Sequence, residues 1–289
     1  MKHRSRHSSL VPVVFFLILW QVAGLGLGSA LASEISIVPT GLFLNPTKST
    51  DLITLHNNAS TPVSLQLSAY RWDQALNGSP KLTPSDDVVF FPPIVTLAGK
   101  EDRIIRVGAM VPFGLTEKSY RLVAEELPPP RFQPPAPGAA QKVETRVVVL
   151  TRMSIPVFLS PPGTPVHQES LEGLSVQNGR VSFQVKNTGN AHVLAGSAKI
   201  TGWSADNRSL ISISQESTHG FYLLAGEPLQ EQAELANPPC NALRKVAIEV
   251  PVTEPFGEYD LKTNTLKAEV PVGPGNCGPE RRLGAASAP

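Results

Sequence analysis

Two adjacent carboxylates, Asp86 and Asp87, and a histidine beside two asparagines, His56-Asn57-Asn58, are the first residues whose types could carry chemistry. Paired acids can divide general-acid and general-base roles, but only with a base, an orienting group and a pocket around them. No such companions accompany Asp86-Asp87, which stand on a Ser/Pro turn and read as a solvated loop; His56 reads as a turn residue. The chain has no G-x-S-x-G, no phosphate-binding glycine loop and no H-E-x-x-H. No catalytic residue, cofactor or metal site is therefore assigned. Asn58, Asn77 and Asn207 each open an N-x-S sequon, a match that chance supplies readily in a turn-rich chain.

Cys240 and Cys277 complete the reactive inventory. Their spacing fits no zinc pattern, and six scattered histidines do not supply one. An even pair in an exported chain predicts one disulfide, with two unpaired thiols as the alternative. Both flank strands late in the chain, so the bond would tie down the last strand.

Export is read from the start of the sequence. A basic "MKHRSRH", an apolar "LVPVVFFLILW" and Ala30-Leu31-Ala32 have the layout of a cleaved signal peptide over residues 1–32. No later segment approaches the roughly 18 continuous apolar residues of a spanning helix. About 257 residues remain, enough for two domains of about 125 each. A net charge of +1 gives no reason to invoke nucleic acid.

The elements that must position any site are strands. "VSLQLSAYRW" puts Val63, Leu65, Leu67 and Ala69 on one face and Ser64, Gln66 and Ser68 on the other, the period of two of a half-buried strand. "EISIV", "DLITLHN", "RIIRVG" and "KSYRLVAEEL" continue the series, separated by turn clusters such as "NPTKST" and "NGSPKLTPSDD". A second series follows "SPPGTPV", and its "GLSVQNGRVSFQV" carries an Asn-Gly between alternating apolar runs, a strong hairpin signal. The expectation is an all-β chain with two immunoglobulin-like sandwiches in tandem, residues 33–160 and 161–275, and a disordered tail over 276–289.

Between the two series lies "KVETRVVVLTRMSIPVFLSPP", residues 142–162, directly after the proline-rich "LPPPRFQPPAPGAA". Val143, Val147 and Val149 share one parity, interrupted by Thr145; Val148 and Leu150 share the other. By periodicity alone this is a buried strand. A core strand does not need such a tether, whereas a strand whose edge is kept available to a partner does.

From about Ile35 to Val272 the chain resembles the periplasmic pilus-assembly chaperones, two-domain proteins that work with an outer-membrane usher. The resemblance rests on "FFPPIVTLAGKEDRIIRV" (90–107), on Glu117-x-x-Tyr120-Arg121-Leu122 leading to "ELPPP", and on "LTRMSIPVFLSP" (150–161), in that order and spacing. The Tyr-Arg-Leu and Ile-Pro-Val-Phe forms resemble the archaic branch, associated with spore-coat-U-like pilins. The resemblance implies a non-enzymatic periplasmic protein whose partners are pilin subunits and the usher. It makes the 143–151 stretch a donor strand, with Val143, Val147 and Val149 filling the groove of a subunit that lacks its own last strand, a form of β-augmentation. The better-known branch anchors the subunit's C-terminal carboxylate with an Arg on the first strand and a Lys on the last; aligned by spacing, those positions are Gly41 and Ser154 here. Arg152 and Arg121 are the substitutes expected, with Arg106 third, unless an arginine is a surface charge or pairs with Glu117. An exported immunoglobulin-like structural or adhesive module is the alternative reading. A pilin would carry an N-terminal donor extension and one incomplete sandwich, whereas two full strand series are present.

Overall fold

The computed structural model describes residues 35–128, 149–216, 222–235, 240–255 and 262–277. Ten strands build the first half: β1 (Ile35–Val38), β2 (Leu42–Leu44), β3 (Thr50–Asn57), β4 (Val63–Gln74) and β5 (Pro80–Pro84), then β6 (Val88–Phe91), β7 (Ile94–Leu97), β8 (Asp102–Ala109), β9 (Lys118–Glu126) and β10 (Arg152–Leu159). They form a four-stranded sheet ordered β1-β3-β8-β6 and a second sheet ordered β2-β10-β9-β4-β5, with β7 also on β4. The odd residues Val63, Leu65, Leu67 and Ala69 of β4 meet Leu55, Ile105, Leu122, Ile155 and Val157 in one core. That is the half-buried alternation the sequence predicts.

The second half is built from β11 (Glu169–Gln177), β12 (Arg180–Asn187), β13 (Val193–Ala195), β14 (Ala198–Trp203) and β15 (Ser209–Gln215), then β16 (Tyr222–Leu223), β17 (Pro228–Glu234), β18 (Lys245–Glu254) and β19 (Lys262–Pro271). A sheet β11-β12-β17 faces a sheet β15-β14-β18-β13-β16 whose β18 also carries β19. A separate core gathers Val181, Phe183, Ile200, Val246 and Ile248. The chain is all-β, with two immunoglobulin-like domains. The β11–β12 turn is Asn178-Gly179, at φ of 52° and 73°, the two positive values a type I′ hairpin turn requires. β18 and β19 run antiparallel with Lys245 opposite Pro271, so Cys240 before β18 and Cys277 after β19 meet and form the disulfide.

Two expectations change. His56 is not in a turn: it lies in β3 opposite Asp102 of β8 and contacts that carboxylate on the sheet's outer face. Asp87 is not merely solvated. Its carboxylate accepts a 2.8 Å hydrogen bond from the hydroxyl of Tyr120, which is 1% exposed, and its carbonyl accepts the Met110 N–H.

Candidate functional site

Several strands of the first domain are buried on both faces, and their second faces meet the second domain. In β4 the burial parity switches after Ala69, so that Trp72 and Gln74 are covered on the side opposite the core residues. In β10, Ile155, Val157 and Leu159 enter the core of the first domain, while Pro156 and Phe158 are buried from the other face. Phe158 packs with Trp72 and with Leu224 of the second domain. Burying such side chains contributes roughly 1.5–3 kcal/mol each.

Polar contacts hold the same interface. The Glu117 carboxylate accepts the backbone N–H of His192 at 3.0 Å and its Nδ1–H at 2.7 Å, with both side chains 2% exposed. The imidazole lies flat on Phe158, ring centroids 3.7 Å apart. Glu117 is thus taken by the second domain rather than by an arginine. At the other side of the interface, Gln74 Nε2 donates to the Tyr222 carbonyl at 2.7 Å and Gln74 Oε1 accepts the Leu224 N–H at 2.9 Å.

Arg121 stands at the same interface, next to Trp72 and Tyr222. Tyr120, Leu122 and Ala124 of β9 point into the core, so Arg121 takes the opposite face. Its guanidinium carbon lies 3.6 Å over the Trp72 ring and 5.4 Å from the Tyr222 ring. Burial pushes it below its usual range, and Tyr222 partly offsets this; a guanidinium remains charged regardless. Among the described residues no carboxylate pairs with it. A half-buried cation with unused donors on an aromatic floor is suited to a planar anion.

The structure separates the other candidates. Arg152 begins β10 opposite Glu125, and its Nε is 2.9 Å from that carboxylate on an exposed face. Arg106 belongs to the other sheet, exposed between Leu52 of β3 and Phe91 of β6, and is not brought together with Arg121. Gly41 lies against Pro156, whose Cγ would be 3.4 Å from a Cβ at Gly41, and Pro156 is the cross-strand neighbour of Arg121. Ser154 is exposed on β10. Val143 and Val147 lie outside the described residues; Val149 is 56% exposed. Along β10 one backbone edge pairs with β9 throughout, whereas β2 covers the other only at Val157–Leu159. Among the described residues, the outer edge of Arg152–Pro156 has no strand on it.

Residues 34–165 match the family described as pili and flagellar-assembly chaperone, PapD N-terminal domain. Over that stretch the first domain is similar to the PapD-like pilus-assembly chaperones. Two solved structures share the fold of this chain. One is the CsuC–CsuE chaperone–tip adhesion subunit pre-assembly complex of archaic chaperone-usher Csu pili from Acinetobacter baumannii, at 16% identity and a TM-score of 0.53, covering 81% of this chain and 98% of that one. The other is the E. coli chaperone DraB, at 16% identity and a TM-score of 0.50, covering 82% of this chain and 96% of that one. No curated protein matches the chain in sequence.

Sequence reasoning named Arg121 but missed its setting. Trp72, Tyr222, Gln74 and His192 carry no local motif, and only the parity switch at the end of β4 hinted that a second surface covers it.

Proposed function

We propose that the chain is a periplasmic chaperone that captures pilin subunits by donor-strand complementation and delivers them to an outer-membrane usher. The observation that carries this is the Arg121 guanidinium, held over Trp72 with no carboxylate partner among the described residues, on the strand next to β10, whose far edge at Arg152–Pro156 has no strand on it among the described residues. An incoming strand gains backbone hydrogen bonds along such an edge, and alternate side chains give specificity. Val143, Val147 and Val149 share the odd numbering of Ile155, Val157 and Leu159, which face the core. On an added strand, side chains of that parity would fill a partner's groove at alternate positions. Arg121 is the anchor for the subunit's C-terminal carboxylate. Gly41 and Ser154 leave the family's usual cationic positions without charge; Ser154 is on β10 and Arg121 on the adjacent β9, so the charge has moved to a neighbouring strand. Arg152 is already engaged by Glu125 and is the lesser contributor. The fold shared with CsuC, which is bound to a tip adhesion subunit in its complex, agrees with this reading.

The test is co-expression with a candidate pilin subunit. Arg121→Ala should lower recovered chaperone–pilin complex about tenfold or more, the worth of a charge-assisted hydrogen bond, and Arg121→Lys should restore part of it, lacking the planar fork. Undiminished complex in Arg121→Ala would show that the carboxylate is held elsewhere.

A further inference from the structure

We propose that Gln74 is a positioning residue of the anion site, acting through Tyr222, so that the second domain sets the orientation of Arg121. This rests on the carboxylate-anchor reading above.

Gln74 ends β4 two residues beyond Trp72 and is 9% exposed. Both functions of its amide are used on one short segment of the other domain, donating to the Tyr222 carbonyl and accepting the Leu224 N–H. From the opposite side, the fully buried Asn187 donates to the Leu223 carbonyl at 3.1 Å. Residues 222–224 are therefore gripped from both domains, through their main chain. The gripped segment carries the ring of Tyr222 edge-on to Trp72, with centroids 5.3 Å apart and planes at 80°. The Arg121 guanidinium occupies the corner between the two rings. An arginine on an open surface gives up much rotamer freedom when it binds an anion. In this corner most of that freedom is already gone, so less is lost on binding. Gln74 touches no ligand; it fixes the wall that fixes the cation.

The consequence is selective. Loosening the clamp should weaken recognition of a terminal carboxylate while leaving backbone pairing along β10 intact. The probe is a synthetic peptide copying the C-terminal strand of the pilin that co-purifies with the chaperone, ending in a free carboxylate or an amide, titrated against the full mature chain. In the wild type the acid should bind about tenfold or more tightly than the amide, as expected of a hydrogen bond to a charged group. Gln74→Leu should bring that ratio close to one with the amide's affinity unchanged. Tyr222→Leu should do the same, and because Gln74 bonds only to main-chain atoms there, it removes the ring without breaking the clamp. It decides the matter alone if near-ultraviolet circular dichroism shows Gln74→Leu to be unfolded. A wild-type ratio in the folded variants, or equal weakening of acid and amide, overturns the positioning role while Arg121→Ala still abolishes the preference. No acid preference in the wild type, or full preference in Arg121→Ala, overturns the anchor reading and this inference with it.

Discussion

Arg121 and Arg152 show how context separates two residues of one type. Arg152 has a carboxylate partner on an open strand face, and exposed pairs of this kind contribute at most about 1 kcal/mol. Arg121 has aromatic rings and, among the described residues, no carboxylate. Tyr120, its neighbour, points the other way and shows the structural use of a polar group. Burial and the adjacent Asp87 push its phenol well above the usual range, so it stays neutral and donates to that carboxylate. Tyr120→Phe should cost about 1.5 kcal/mol, the lower range for a hydrogen bond to a charged group, because Asp87 can turn to water. Urea denaturation reads the change; a loss under about 0.5 kcal/mol would mean the bond adds nothing over hydration.

Strands carry the next level of the account, and most of them were legible. The alternation of Val63 to Ala69 and the turn at Asn178-Gly179 each follow from local chemistry, a pleat and a pair of positive φ angles. His56 was misread because Asn57-Asn58 suggests a turn. Asn57 is instead buried at the end of β3, its side chain donating to the carbonyls of Thr61 and Ala98. Antiparallel pairing of β18 with β19 brings Cys240 to Cys277, 37 residues apart, and closing such a loop contributes roughly 3–4 kcal/mol in chain-entropy terms. At the start of β11, burial first and the Glu254 charge second push the Glu169 carboxyl above its usual range. A raised acid disfavours the folded state once it ionises, so stability falls as pH rises from the ordinary glutamate value through the raised one. Glu169→Gln should therefore raise Tm at neutral pH and leave it unchanged at pH below the ordinary glutamate range. A Tm gain of equal size at both pH values would contradict the electrostatic origin.

Across the whole molecule, the site exists because two domains share a surface. Glu117 and His192 are 75 residues apart, and nothing in either sequence neighbourhood announces the partner. Deleting one member would leave the other buried without its bond, at a cost of about 3 kcal/mol or more. Trp72, Phe158 and Leu224 likewise come from three distant segments. Such contacts follow from domain packing, which strand periodicity cannot encode, whereas the family motifs survive as local strings and were readable. The proposed donor stretch is the opposite case, a reading that rests on the sequence, with Val143, Val147 and Val149 on one parity after a proline-rich tether. The central claim is that this stretch completes a pilin. Its most direct test is the stoichiometry of pilin co-purifying from periplasm with the Val147→Asp, Val149→Asp double variant, since unpaired charge in an apolar groove is costly. The account predicts one pilin per wild-type chaperone, and loss of the pilin from the variant with chaperone yield maintained. Pilin retained by the variant at the wild-type ratio would contradict it.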